Sequence, residues 1–220
     1  MYSLAFDIRS RSTVILASAF VLWSLLVIYG GTEWFDFPIS EFFGDATREG
    51  PLDLFMRSLT EIGDVFYMLG FAIVLIIIRP TRKIGITLLI LLVLTTLVTG
   101  YVKCGVDRER PEPETSSAFP IDISQDTFSL FCAGSFDASY PSGHASRAAA
   151  LGTVLAIALA TKFPRVAPIL LLYPVMMSIS RVYVLQHYPS DVIGGVLLGV
   201  LFAGVVSKMT HIDASKSKTF

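Results

Sequence analysis

Six stretches of this chain reach, or nearly reach, the roughly 17–20 apolar residues that a helix needs to cross the ~30 Å hydrocarbon layer of a bilayer. They run Ser12–Tyr29, Gly63–Ile78, Ile84–Val102, His144–Thr161, Val166–Arg181 and Pro189–Ser207. The second and fifth are the shortest. The expected fold is therefore all-α, a bundle of six transmembrane helices forming one integral membrane domain over residues 1–220. Composition agrees: 53% of the 220 residues are hydrophobic and only 16% are charged, where a soluble domain averages about a quarter charged. The sequence shows no low-complexity tract and no repeat of fixed period. The first span follows "DIRSRS", but its apolar core exceeds the ~7–15 residues of a signal peptide, so an uncleaved anchor is expected.

Loop charge sets the orientation. With the N-terminus in the cytoplasm, six spans return the C-terminus there. That side then holds Arg9, Arg11, Arg79, Arg82, Lys83, Lys162, Arg165, Lys208, Lys216 and Lys218, ten of the 17 Lys and Arg, with only Asp7 and Asp213 of the 18 acids. The outer side receives the other 16 acids and seven cations: Arg48, Arg57, Lys103, Arg108, Arg110, Arg147 and Arg181. These seven sit against the topogenic trend. In the first outer loop, Leu52, Phe55, Met56 and Leu59 recur at helical spacing. They indicate either an interfacial amphipathic helix or a loop packed on the bundle. The segment from Lys103 to Tyr140 is rich in Pro, Ser and Asp and is expected to be an irregular outer loop.

The alternation of spans brings three polar clusters to the outer side. Lys103 ends the third span and leads to Arg110-Pro111; "YPSGHASR", Tyr140–Arg147, opens the fourth; "SRVYVLQHYPSD", Ser180–Asp191, joins the fifth to the sixth. Lys103, Arg110 and Arg181 supply cations suited to phosphate oxygens. Ser142 and Gly143 precede a helix whose free N–H groups favour an anion. His144 and His187 are the two histidines outside the tail, and Asp191 follows His187 by four residues, within hydrogen-bonding reach if that segment is helical. A nucleophilic imidazole oriented by a carboxylate, with a second imidazole as proton donor, suits phosphoryl transfer.

These residues also carry a family resemblance. Lys103-x6-Arg110-Pro111, Pro141-Ser142-Gly143-His144 and Ser180-Arg181-x5-His187-x3-Asp191 resemble, in order and spacing, the three-part signature of the type 2 phosphatidic acid phosphatase (PAP2) superfamily. The resemblance covers about residues 62–207. It implies that His187 attacks phosphorus to form a phosphohistidine, that Asp191 holds its ring, and that His144 protonates the leaving oxygen and then activates water. It implies that Lys103, Arg110 and Arg181 bind the phosphoryl oxygens, assisted by the Ser142 hydroxyl and the Gly143 N–H. It further implies chemistry without a metal or other cofactor, with which a site rich in cations rather than paired carboxylates agrees.

Other residues stay open at this stage. Arg147, three residues after His144, either touches a second substrate phosphate or pairs with an outer acid. Arg108 is expected to pair with Asp107, Glu109 or solvent. Asp64 either acts in function or caps the second span. Cys104 and Cys132, both on the outer side, are candidates for a disulfide. The expected activity is hydrolysis of a lipid phosphate at the outer face of the cell membrane, with the bilayer and a membrane lipid as partners and no nucleic acid. The small size, without a soluble domain, resembles polyprenyl diphosphate phosphatases acting on undecaprenyl- or dolichyl-type carriers. The alternatives are phosphatidylglycerol phosphate or phosphatidic acid as substrate, a lipid phosphotransferase, or a transporter. The last fits poorly, because the polar groups gather at span ends rather than at the midplane. Vanadate-dependent haloperoxidases share the signature in soluble form, against which the apolar spans argue.

Overall fold

A computed structural model describes residues 5–45, 49–112, 138–160 and 162–212. The described residues form eight α-helices and no strand: α1 (Arg11–Ile28), α2 (Glu33–Asp45), α3 (Gly50–Ile62), α4 (Val65–Ile77), α5 (Arg82–Val106), α6 (Gly143–Leu159), α7 (Leu172–Tyr183) and α8 (Pro189–Met209). Short 3₁₀ turns at Arg79–Thr81 and Ala167–Leu171 lead into α5 and α7. Most of the outer segment from Lys103 to Tyr140, Cys132 included, lies outside the described residues.

Local chemistry sets several helix starts. Ser10 accepts the Thr13 N–H at 3.2 Å to begin α1, and Asp64 accepts the Phe66 N–H at 2.8 Å to begin α4. Both satisfy a donor that has no partner inside the helix. Asp64 is thus a cap, one of its two readings. The predicted first, third, fourth and sixth spans correspond to α1, α5, α6 and α8.

Span lengths differ from the six-crossing expectation. Three segments, α1, Arg79–Val106 and α8, are long and apolar enough to cross a membrane, and α3 with α4, bent by 58°, makes up to a fourth. α6 and Ala167–Tyr183 are apolar but shorter. The predicted second span is a helix of only 13 residues. The fifth opens as a 3₁₀ turn because Pro168 removes a backbone donor and restrains the residue before it.

The helix expected at Leu52–Leu59 is present as α3. It docks on α7, where the Ser180 hydroxyl donates to the Met56 carbonyl at 2.8 Å, while Leu52, Leu54 and Phe55 stay exposed. α2 was not expected, since Pro38 inside it argues against a helix. Its buried face is polar, with Asp36 and Ser40 turned inward, so docking rather than propensity maintains it.

α6 and α8 form the most extensive helix contact in the bundle. α6 presents Ala145 and Ala149, both fully buried, to a stripe of glycines on α8. A Cβ on Gly195 would overlap the Ser142 carbonyl oxygen, and one on Gly199 the Ser146 carbonyl oxygen. Small residues at this spacing are how helices approach closely in lipid, where no hydrophobic drive separates them from the acyl chains. Beneath them Ala72, Leu88, Leu91, Val154, Ala203 and Val206 fill the core. Gly199→Val should destabilise the protein by about 1–3 kcal/mol, the usual range for overpacking, and lower its thermal unfolding midpoint in detergent. An unchanged midpoint would contradict this close approach.

Candidate active site

The two histidine segments meet because α6 and α8 start side by side. Ser142 caps α6 by accepting the Ala145 N–H at 3.4 Å, and its own N–H donates to the Asp191 carbonyl at 3.0 Å. That bond ties the "PSGH" turn to the first turn of α8. The Ser142 hydroxyl proton stays available to donate, and the free N–H groups of the first turn of α6 point into the same space.

The cations come from two further elements. α5 ends when Asp107 adopts a left-handed conformation, φ 46°, with its N–H closing on the Lys103 carbonyl at 2.8 Å. The chain then turns back across the bundle, carrying Arg108 and Arg110. Lys103 Nζ donates to the Ala138 carbonyl at 2.6 Å, next to the "PSGH" turn. Arg110 Nη1 donates to Gln186 Oε1 at 2.8 Å, next to His187. Arg181 is buried at the end of α7. The charges of Arg181, Arg110 and Lys103 bear on both His144 and His187, and that of Arg147 bears on His144 as well. The structure thus brings all three cations and both imidazoles of the sequence reading into one cluster.

Asp191 is fully buried, but its arrangement differs from the one expected. His187 lies before α8, not in it, so the two residues are not a helical i,i+4 pair. Asp191 Oδ2 accepts the Tyr188 N–H at 2.7 Å and the Ser139 hydroxyl, and stands 3.8 Å from His187 Nδ1. That distance is too long for a hydrogen bond. The carboxylate faces Nδ1 without bonding it, which favours a proton there and leaves Nε2 with the lone pair.

Arg108 corrects the reading that paired it with Asp107, Glu109 or solvent. Its Nη1 donates to Asp191 Oδ1 at 2.8 Å and its Nη2 to Asp36 Oδ2 at 2.8 Å. Its guanidinium lies 4.2 Å over the Tyr188 ring. Burial works against this charge, but Asp191 and Asp36 outweigh it and raise the guanidinium above its ordinary pKa. Ser190 completes the cluster, donating from its N–H to Asp36 Oδ1 at 2.9 Å and from its hydroxyl to Asp36 Oδ2 at 2.5 Å. Arg108, Asp36, Ser139 and Ser190 were missed. Arg108 is flanked by acids in sequence, and only the left-handed turn at Asp107 directs it inward. Nothing in "EWFDFPIS" marks Asp36.

Arg147 sits against the site. Its guanidinium lies 3.4 Å from His144 Nδ1 and 3.4 Å from the Gly63 carbonyl, and the charge of Asp64 bears on it. Cys104 is disulfide-bonded; Cys132, its suggested partner, lies outside the described residues. Among the described residues, no group of three or more His, Cys, Asp or Glu is placed to hold a metal.

With this geometry in place, comparison with known proteins is informative. The PAP2 superfamily matches residues 84–213, more than half of the chain. The chain belongs to the PAP2 superfamily. As a PAP2 protein it is a membrane lipid phosphatase, hydrolysing lipid phosphate esters. It is similar to the undecaprenyl-diphosphatase of Sulfolobus acidocaldarius, 29% identical over 187 residues that cover 84% of each protein. It is also similar to the lipid A 1-phosphatase of Rhizobium johnstonii, 30% identical over 120 residues, 54% of this chain and 45% of that one. Its fold is that of the PAP2-type phosphatidylglycerolphosphate phosphatase of Bacillus subtilis, with a TM-score of 0.68 at 23% identity, covering 90% of this chain and 96% of the other. All residues of the three-part signature fall within the PAP2 match, whereas Asp36 precedes it.

Burial, and then the charges of Arg181, Arg110 and Lys103, push the His187 imidazole well below its ordinary pKa of about 6.5. The sign follows directly: a lowered value keeps the ring neutral, with its lone pair, as pH falls through 6.5. It also means that any stability linked to the neutral ring is present above that pH and is lost as pH falls through the lower folded value. The ¹³Cε1 resonance of His187, assigned by its loss in His187→Ala, should remain at the neutral position in substrate-free protein down through pH 6.5. A midpoint at or above 6.5 would contradict the assignment.

Proposed function

We propose that this PAP2 phosphatase removes the terminal phosphate from a polyprenyl diphosphate of the undecaprenyl or dolichyl type and leaves the monophosphate. His187 Nε2 attacks the terminal phosphorus; an N–P bond forms as the P–O bond to the leaving polyprenyl phosphate breaks. His144 gives its proton to that leaving oxygen. It then takes a proton from water, whose oxygen attacks the phosphohistidine, breaking the N–P bond and releasing inorganic phosphate. Lys103, Arg110 and Arg181, with the Ser142 hydroxyl and the Gly143 N–H, hold the transferred oxygens where charge accumulates. No step calls for a metal.

The observation that carries the diphosphate reading is Arg147. It places a fourth cation beside the proton donor, 3.4 Å from His144 Nδ1. It also stands in the wall of an apolar cavity lined by Met68, Phe71, Leu91, Leu92 and Leu151, in which it is the charged residue. A cation above an apolar lining fits a second phosphate followed by a hydrocarbon chain. A phosphoglycerolipid monoester such as phosphatidylglycerol phosphate or phosphatidic acid would use the same histidines and leave Arg147 without a ligand.

The proposed setting is six crossings with both termini cytoplasmic and the site at the outer side. α6, at 17 residues, spans about 26 Å, a shortfall that local thinning of the bilayer accommodates.

Purified protein should release phosphate from polyprenyl diphosphates faster than from phosphatidylglycerol phosphate or phosphatidic acid, at a rate that a chelator leaves unchanged. His187→Ala should abolish release, and His144→Ala should lower it by about 10²–10⁴-fold. Normal turnover by His187→Ala would overturn the mechanism. Transfer of phosphate to an added acceptor, with none released to water, would make the protein a phosphotransferase.

Arg147→Gln discriminates the substrate class. Loss of one charge-assisted contact is worth about 1.5–3 kcal/mol, or roughly 10–150-fold in kcat/KM. That loss should appear with diphosphates and be nearly absent with monophosphate lipids. An equal loss with both would remove the support for a diphosphate.

A further inference from the structure

The catalytic carboxylate does not stand on its own helix alone. Asp191 has each oxygen engaged: Oδ1 by Arg108, and Oδ2 by Ser139 and the Tyr188 N–H. Arg108 therefore decides where the carboxylate points, and Arg108 is in turn gripped from the far side by α2. Asp36 takes its second nitrogen at 2.8 Å, and Ser190, the neighbour of Asp191, binds both Asp36 and Arg108, the latter at 2.7 Å. Asp36 is completely buried and lies more than 150 residues before the segment it supports.

We propose that Asp36 is a positioning residue for catalysis, acting through Arg108 to fix the Asp191 carboxylate, and with it the His187–Asp191 segment, in the orientation that presents Nε2 of His187 to phosphorus. Three features point to position rather than cohesion. First, the contact with His187 is 3.8 Å, so the ring is oriented by where Asp191 stands and not by a bond that would correct an error. A small rotation of the carboxylate would withdraw it from Nδ1 altogether. Second, Arg108 also stacks on Tyr188 at 4.2 Å, the residue after the nucleophile, so the same guanidinium touches both Tyr188 and Asp191 in the stretch that follows His187. Third, two carboxylates and one guanidinium buried together gain little as mere filler, since apolar side chains of similar volume serve a core as well or better. What the charged set supplies is direction: each oxygen of Asp36 and Asp191 has a donor at a fixed angle.

α2 joins the site by this route. Phe37 packs edge-on against Tyr188 at 5.8 Å and Phe43 against Tyr183 at 5.7 Å, both on the helix that carries Asp36. Asp36 is thus delivered by an element outside the PAP2 match.

The inference rests on the reading of His187 as nucleophile and Asp191 as its orienting group, and the experiment separates the two. Asp36→Asn keeps the size and several hydrogen bonds but removes the charge. It should lower kcat by about 10–100-fold, the range for partners that orient a catalytic group from behind it, with KM for the lipid changed no more than about twofold. Asp36→Glu, retaining the charge on a longer stem, should recover part of the loss. Arg108→Gln, which also takes the guanidinium from Asp191, should fall at least as far as Asp36→Asn, and the double variant Asp36→Asn/Arg108→Gln no further than Arg108→Gln, because Asp36 acts through Arg108. Asp36→Asn leaves Arg108 and Asp191 as a matched buried pair, so it is the variant whose folding is checked, whereas the double variant leaves Asp191 without its guanidinium.

Full kcat in a folded Asp36→Asn would overturn the inference. So would recovery of wild-type kcat in the double variant, which would mean that Asp36 merely neutralises Arg108. Failure of Asp36→Asn to fold would assign Asp36 to the fold and overturn it equally. Measured beside these, His187→Ala tells the two readings apart. If it remains active, the assignment of the nucleophile fails; if it is dead while Asp36→Asn is normal, only the role of Asp36 fails.

Discussion

The approach of α6 to α8 governs where everything else can stand. Gly195 and Gly199 oppose the carbonyls of Ser142 and Ser146, residues four apart facing residues four apart, so one glycine ladder sets both the distance and the register of the pair. His187 lies just before α8, and His144 is the second residue of α6. The register of the glycines is therefore also the register of His187 and His144, the proposed nucleophile and proton donor. The bond from the Ser142 N–H to the Asp191 carbonyl closes the top of the ladder. In lipid such contacts rely on packing and hydrogen bonds rather than on expulsion of water, which makes a stripe free of Cβ atoms a structural requirement and not a convenience.

Around that junction the electrostatics divide into two parts. Toward α2, Arg108 joins Asp36 and Asp191 by bonds of 2.8 Å, and the remaining carboxylate oxygens meet hydroxyl and backbone donors. Toward the substrate side, the charges of Lys103, Arg110 and Arg181 bear on both imidazoles and that of Arg147 on His144. The division keeps His187 neutral, since burial and the nearby cations both disfavour protonation. It also gives the anionic substrate a reason to enter a site bordered by lipid.

Much of the helix inventory was legible because it follows from apolar length: α1, α5, α6 and α8 lie close to the stretches read from sequence. The signature residues were legible because their order and spacing are particular. What escaped was tertiary. α4 and α7 are cut short by a bend at Gly63–Asp64 and by the 3₁₀ turn at Pro168, which apolar length alone does not reveal. α2 contains a proline and owes its helix to docking. Arg108 has acidic neighbours on both sides and looked satisfied, until the left-handed turn at Asp107 placed it under Asp191. The expected His187–Asp191 pairing assumed one continuous helix, yet Tyr188 breaks away before α8 begins. In each case the residue types were visible and the direction of the chain was not.

Catalysis needs two different properties from this site, and the division of charge supplies them in different places. An interaction accelerates a reaction only where it is stronger in the transition state than in the ground state. Groups that aim the nucleophile must therefore be set before substrate arrives, because any reorganisation is subtracted from the gain. The proposed role of Asp36, Arg108 and Asp191 meets that need: one guanidinium bridges the two carboxylates, their other oxygens meet hydroxyl and N–H donors, and no arriving phosphate is required to complete the set. The cations have the opposite task, since their natural partners are oxygens whose charge changes during the reaction. In the proposed mechanism Lys103 near the end of α5, Arg110 beyond it and Arg181 near the end of α7 reach those oxygens from separate elements. A hydrogen-bonded back and a cationic front on one pair of helix ends is the arrangement that the proposed transfer to His187 calls for.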